Sequence, residues 1–308
     1  MAVINNKLIL ASLDEYVTGH LEAKKTLINM LSRSRMRHYQ KYMRGMDEEF
    51  LISPSKVLLI GQSGTGKTHL VESLQKVVHF PLVRVDATQM NPAGATGGTK
   101  PQKLRDLIYT AASEAKAKLP NQYFSIDGAV DRTVVFIDEI DKLGVSWESS
   151  GNWNRHVQSN FLTMFDNKEE FSGVSYIFAG AFAGLTGNPK NNLGFTASGE
   201  DKNTSPSVDS KILSAGLIPE LVGRINAICE LDVFTESDLY NILVNRILPK
   251  KQMDLAAYNI MDTFVEKPEL ERIAREAKKS EQGIRHMQRE VDKIFMELEF
   301  DADVDFVY

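Results

Sequence analysis

Gly61-Gln62-Ser63-Gly64-Thr65-Gly66-Lys67-Thr68 follows the apolar run Lys56–Ile60 (KVLLI) and opens a helical stretch, Lys67–His79. The spacing is G-x-x-x-x-G-K-T. Its glycines let backbone N–H groups turn inward around phosphate oxygens. Lys67 adds a point charge at the β and γ positions, and Thr68 offers a hydroxyl to Mg²⁺. The helix that follows directs its positive end at the same anion. An apolar strand before the loop and a helix after it set this string apart from an ordinary glycine-rich turn. Gly61 to Thr68 and the adjoining His69 are therefore candidate nucleotide contacts, with ATP and Mg²⁺ as the implied cofactors.

Working outward, apolar runs recur at 82–86, 133–137, 174–178 and 227–233, separated by helical stretches at 67–79, 101–119 and 153–165. Strands alternating with helices imply an α/β fold with a parallel sheet flanked by helices. A further helix is expected over 20–44, and residues 12–19 read as a loop. The run Thr133–Ile137 ends in Asp138 and Glu139. Burying this strand leaves its C-terminal tip where open α/β sheets bind ligands. Asp138, with Thr68, is a candidate Mg²⁺ holder. Glu139 is placed to deprotonate an attacking water, and Asp141 and Lys142 read as structural. Beyond Phe234 the pattern becomes helical, over 236–251, 268–279 and 282–297, with a short alternating tail at 303–308. This divides the chain into an α/β domain, 1–233, and a small helical domain, 234–308.

Composition narrows the function classes. The 308 residues are 43% apolar and 25% charged, with a net charge of −5. That balance disfavours a surface built wholly for nucleic acid. The single cysteine, Cys229, rules out an intramolecular disulfide and a cysteine zinc site, and its apolar neighbours suggest a buried thiol. No apolar run approaches the roughly 18 residues of a membrane span, and the N-terminus lacks a signal-peptide layout, so a cytoplasmic location is expected.

Several segments carry a resemblance. VVFIDEIDKL (134–143), SLDEYVTGHLEAKKTL (12–27), VDATQMNPAG (85–94), IFAGAFAGL (177–185) and LIPELVGRINAI (217–228) resemble, in order, segments of the AAA+ unfoldases of the ClpX/HslU type. The resemblance implies ATP at the junction of a large and a small domain, and a homo-oligomeric ring, usually a hexamer. It also implies that Tyr16, Val17 and Thr18 border adenine, that Ile242 closes the pocket, and that Arg224 is a finger reaching the next subunit's γ-phosphate. Leu193-Gly194-Phe195 lies where ClpX docks its ClpP peptidase, though a three-residue match is weak and local packing is the favoured account of it.

The chain departs from the family at several points. The pore-loop pair is Ala95-Thr96 rather than aromatic–aliphatic, with Trp147 or Trp153 as possible substitutes. The small-domain sensor position falls on Gln282, leaving Arg285 one turn on as a replacement or a plain surface arginine. The sensor-1 strand ends in Ala179 and Gly180, and no ClpX-type zinc domain is expected. Two readings follow: an ATP-driven protein remodeller, or an ATP-switched assembly factor. A nucleic-acid role would rest on the Arg33–Arg44 face with Lys100, Lys103 and Arg105.

Overall fold

The computed structural model describes residues 5–90, 101–144, 151–167, 170–182, 208–256, 265–280 and 282–300. The chain divides into two compact units. The first comprises Met1–Tyr16, Leu21–Gly61 and Lys67–Leu231. The second comprises Val17–His20, Gln62–Gly66 and Asp232–Tyr308.

The first unit is built on a five-stranded parallel sheet: β1 (Lys56–Ile60), β2 (Leu82–Asp86), β3 (Val134–Asp138), β4 (Ser175–Gly180) and β5 (Ala227–Glu230). Their order is β2-β3-β4-β1-β5. The central strands are near-continuous apolar runs because helices cover both faces of a parallel sheet. Val134, Val135, Phe136 and Ile137 of β3 are each fully buried. Register sets β3 beside β4 with Ile137 level with Phe178, and β1 beside β4 with Ile60 level with Gly180. The helices are α1 (Asn6–Asp14), α2 (Leu21–Arg44), α3 (Lys67–Val78), α4 (Pro101–Lys118), α5 (Ile126–Val130), α6 (Gly151–Asp166), α7 (Val208–Ser214) and α8 (Pro219–Val222). Phe161 and Phe165 of α6 pack edge-on against Phe178 and Tyr176 of β4, at centroid separations of 5.9 and 4.7 Å.

The expected loop over 12–19 is corrected in part, since helix α1 runs through Asp14. Asn5 caps it by accepting from the Lys7 N–H at 2.9 Å. The buried ammonium of Lys24 on α2 reaches Asp14 at 2.5 Å. That contact lies ten residues away in sequence and leaves no periodic trace. Cys229 on β5 is buried, and burial pushes its thiol pKa up.

In the second unit, α9 (Glu236–Ile242), a π-helical turn (Leu243–Ile247) and α10 (Leu248–Ala256) form one continuous rod, followed by α11 (Lys267–Lys279) and α12 (Ile284–Phe300). Leu239, Leu243, Ile273, Met287, Val291 and Phe295 make its core. The π turn has a local cause. Pro249 has no N–H to donate to the Asn245 carbonyl, and its ring crowds that group, so the preceding turn widens. Among the described residues no helix is long and apolar enough to cross a membrane.

Candidate active site

The first unit holds the two ends of the glycine-rich loop and the tip of β3. Gly61 donates its N–H to the Gly180 carbonyl at 3.2 Å, which ties the loop's start to the end of β4. Lys67, at the head of α3, turns its ammonium back onto the Gly61 carbonyl. Thr68 Oγ1 donates to Asp138 Oδ2 at 2.6 Å, joining α3 to the end of β3. The other Asp138 oxygen, Oδ1, accepts the Glu139 N–H at 3.0 Å. Asp138 is half-buried and Glu139 exposed. A hydroxyl and a carboxylate this close form a hard oxygen donor pair. That suits Mg²⁺, which keeps several waters and takes one or two carboxylates besides phosphate oxygens.

Glu139 sits in the left-handed region, with φ 57° and ψ 34°. A non-glycine residue there is strained by about 1–2 kcal/mol, and such strain gathers at functional positions. The turn brings Asp141 round so that its Oδ1 accepts the Ala181 N–H at 3.2 Å, linking the tip of β3 to the end of β4. Gly180 is required at that crossing, because a Cβ would lie 2.6 Å from the Phe182 ring and 2.7 Å from the Asp141 carboxylate. Gln158, fully buried on α6, donates to the Leu143 and Gly216 carbonyls and accepts the Ile218 N–H. It fastens the segment after Glu139 to the turn leading into α8. The Tyr16 carbonyl lies 3.1 Å from His69 Nε2, and the Tyr16 ring is exposed.

The second unit holds the middle of the loop. Gly64 and Gly66 have φ of 78° and 89°. A Cβ at Gly64 would stand 2.2 Å from the Gln282 carbonyl oxygen, so only glycine allows this backbone-to-backbone approach. Thr65 Oγ1 donates to the Gln62 carbonyl at 2.8 Å, closing the loop on itself. Arg285, in the first turn of α12, donates from Nη1 to Ser63 Oγ at 2.9 Å. Of the two sensor candidates, it is Arg285 whose guanidinium lies on the loop, while Gln282 meets it through its backbone. Val17 is buried and Thr18 half-buried. Ile242 is buried with the apolar side chains of the unit's own core.

Residues 57–186 match the ATPase family associated with various cellular activities (AAA). The chain is 28% identical to the ATP-dependent Clp protease ATP-binding subunit ClpX of Treponema denticola, over 94% of this chain and 75% of that protein. The same identity and coverage hold for ClpX 2 of Wolinella succinogenes. With ClpX 3 of Methylococcus capsulatus the identity is 28%, over 92% of this chain and 73% of the relative. The chain is ClpX-like over nearly all of its length, with a segment that matches the AAA ATPases. It is thus an ATP-hydrolysing enzyme, and its Gly61–Thr68 loop falls inside the matched family segment.

In this ClpX-like ATPase, Arg224 follows Gly223 at the end of α8 and forms a two-pronged ion pair with Asp166 at the end of α6, with Nη2 to Oδ2 at 3.3 Å. The hydrogen bond to Asp166, then its charge, raises the pKa of Arg224. Both side chains are about half exposed, and such pairs add little stability.

The basic face expected on α2 needs correction. Arg37 is buried and donates to the Ile52 carbonyl at 2.9 Å and to Glu48. Lys41 pairs with Asp131 at 2.7 Å, and Arg35 is half-buried. Helical spacing showed the cations but not the 47–52 segment and Asp131 that fold over them. Arg33 and Arg44 remain exposed. Arg105 pairs with Glu170 at 2.5 Å. The Ala95-Thr96 pair, Lys100, Trp147, Leu193-Gly194-Phe195, the tail at 303–308 and the side chain of Trp153 lie outside the described residues.

Gln158 carries no motif signal. His20 lies within the 12–27 segment that carries the resemblance, but neither that nor its place at a helix start shows that it is 1% exposed and contacts the loop.

Proposed function

We propose that this ATPase is a ring-forming protein remodeller powered by ATP and Mg²⁺. The reading is carried by the 2.6 Å hydrogen bond from Thr68 to Asp138, which brings the end of the glycine-rich loop to the strand tip that bears Glu139. The N–H groups of Gly61–Thr68 and the Lys67 ammonium bind the phosphates. Thr68 and Asp138 hold the cation, which when bound neutralises charge on the phosphate oxygens. Glu139 orients a water and takes its proton as general base. Tyr16, Val17 and Thr18 border the base, Ile242 closes the pocket, His69 adjoins the loop as a nucleotide contact, and Arg285 acts on the loop through Ser63. Arg224 serves the neighbouring subunit as its finger.

In this reading residues 1–233 form the large domain and 234–308 the small one. The ring engages protein substrates or assembly partners. A peptidase docks on Leu193-Gly194-Phe195, in keeping with relatives that are subunits of an ATP-dependent protease. Phosphoryl transfer rests on positioning and charge, which is why so few side chains suffice. The test is Glu139→Gln. Nucleotide binding should persist while turnover falls by about 10²–10⁴-fold. Turnover near wild type would overturn the base assignment.

A further inference from the structure

The phosphate loop has a partner that the reading above does not use. His20 is 1% exposed and, like Gly19 before it, has positive φ (59° and 70°). Its backbone N–H donates to Asp232 Oδ2 at 2.6 Å, and its ring Nδ1 meets the Asp232 N–H at 3.0 Å. A backbone N–H can only donate, so Nδ1 is the acceptor and Nε2 carries the proton. That Nε2 lies 2.9 Å from the Thr65 carbonyl oxygen and donates to it. The Phe234 ring covers the imidazole at a centroid distance of 5.0 Å. Backbone turn, reciprocal Asp232 contacts and Phe234 together fix the ring before it reaches the loop.

We propose that His20 is a positioning residue that sets the direction of the Gly66 N–H. The Thr65–Gly66 peptide is trans, and in a planar trans peptide the C=O and N–H point in opposite directions. Drawing the Thr65 carbonyl onto His20 turns the Gly66 N–H to the opposite side. Thr65 is also anchored through its hydroxyl to the Gln62 carbonyl at 2.8 Å, so the peptide cannot easily rotate as a unit. A donor aimed before the anion arrives requires no reorganisation on binding. The inference rests on the reading of Gly61–Thr68 as the phosphate-binding loop.

Two substitutions separate positioning from mere structural support. In His20→Gln the amide nitrogen takes the place of Nε2 and keeps the bond to Thr65. In His20→Asn the side-chain oxygen takes the place of Nδ1 and keeps the contact with Asp232, but nothing reaches Thr65. Asparagine also tolerates the left-handed backbone better than glutamine, so a purely structural role predicts that the asparagine variant is the better one. ADP binding by calorimetry should show the reverse. The glutamine variant should stay within about threefold of wild type and the asparagine variant should weaken about tenfold. Thermal midpoints of the nucleotide-free variants should show no deficit for asparagine. Equal loss in both variants, or wild-type affinity in His20→Asn, overturns the proposal while leaving the phosphate-loop reading intact. Absence of ADP binding in the wild type overturns both. If His20→Asn does not fold, ¹⁵N NMR of the wild-type imidazole decides. An Nε2-protonated ring whose Nε2 signal moves on ADP addition supports the role, and an unmoved signal overturns it.

Discussion

Glu139 and His38 show how one residue's surroundings can be read as chemistry. Glu139 keeps its carboxylate exposed beside a half-buried Asp138, and its left-handed backbone turns the chain sharply after β3. His38, on α2, is buried beside Tyr42 and Phe124, at centroid distances of 4.7 and 6.5 Å. Burial, reinforced by the Arg132 guanidinium and Lys41 against the opposing pull of Asp131, lowers its pKa from 6.5 to about 4. The folded protein therefore keeps the ring neutral where the unfolded chain would bind a proton. Between pH 6.5 and about 4 the unfolded state holds more protons, so stability rises with pH. The contribution is complete above the unfolded value and is lost as pH falls through this window. His38→Phe keeps a ring between Tyr42 and Phe124 and removes the titration. Urea unfolding at pH 7 and pH 4.5 should show the wild type's acid loss reduced by on the order of 1–2 kcal/mol in the variant. An unchanged acid loss would mean that His38 does not titrate in this window.

Secondary-structure elements were legible to the extent that their signals are local. Thr235-Glu236-Ser237-Asp238 reads as a helix start, and α9 begins there with a reciprocal cap. Thr235 Oγ1 accepts the Asp238 N–H at 3.1 Å, and Asp238 Oδ2 accepts the Thr235 N–H at 2.8 Å. The bonds from Thr235 hold the Asp238 carboxyl below its usual range, so this cap adds stability at neutral pH that disappears as acid protonates Asp238. Thr235→Ala should cost about 1 kcal/mol, read by chemical unfolding at pH 7, with the difference shrinking toward pH 3. A cost that does not depend on pH would refute the Asp238 part. The π turn before Pro249 was not foreseen because a lone proline does not say whether a helix will break or widen. Helix α1 was missed over 12–14 because its stabilising contact, Asp14 with Lys24, belongs to tertiary packing.

For the whole molecule, the placement of Arg224 has a consequence that can be measured. Within its own chain it is held by Asp166 at an exposed corner. If it completes a neighbour's site, specific turnover should rise with protein concentration. Arg224→Ala should then lower turnover by about 10³-fold or more while leaving nucleotide binding intact. Mixing Arg224→Ala with Glu139→Gln subunits should restore part of the activity, because one mixed interface in a ring carries both intact groups. Turnover independent of concentration, with no recovery from co-assembled mixtures, would place the finger elsewhere. Tight nucleotide binding with negligible wild-type turnover would favour the assembly-factor reading instead.

The sequence by itself determined the parallel α/β fold, the glycine-rich loop and the acidic strand tip. These are written in short-range patterns: apolar runs that must be buried, glycines that must turn, and a carboxylate at the end of a buried strand. Only the tertiary structure decided which partners those residues meet. It set Thr68 against Asp138, 70 residues apart, Arg285 on Ser63 and His20 on Thr65. It also turned part of an apparently solvated basic face inward, onto Glu48 and Asp131. The physical reason is that hydrogen bonds and ion pairs between distant segments leave no periodicity in the chain. They depend on where packing brings the segments, and a single sequence does not state that.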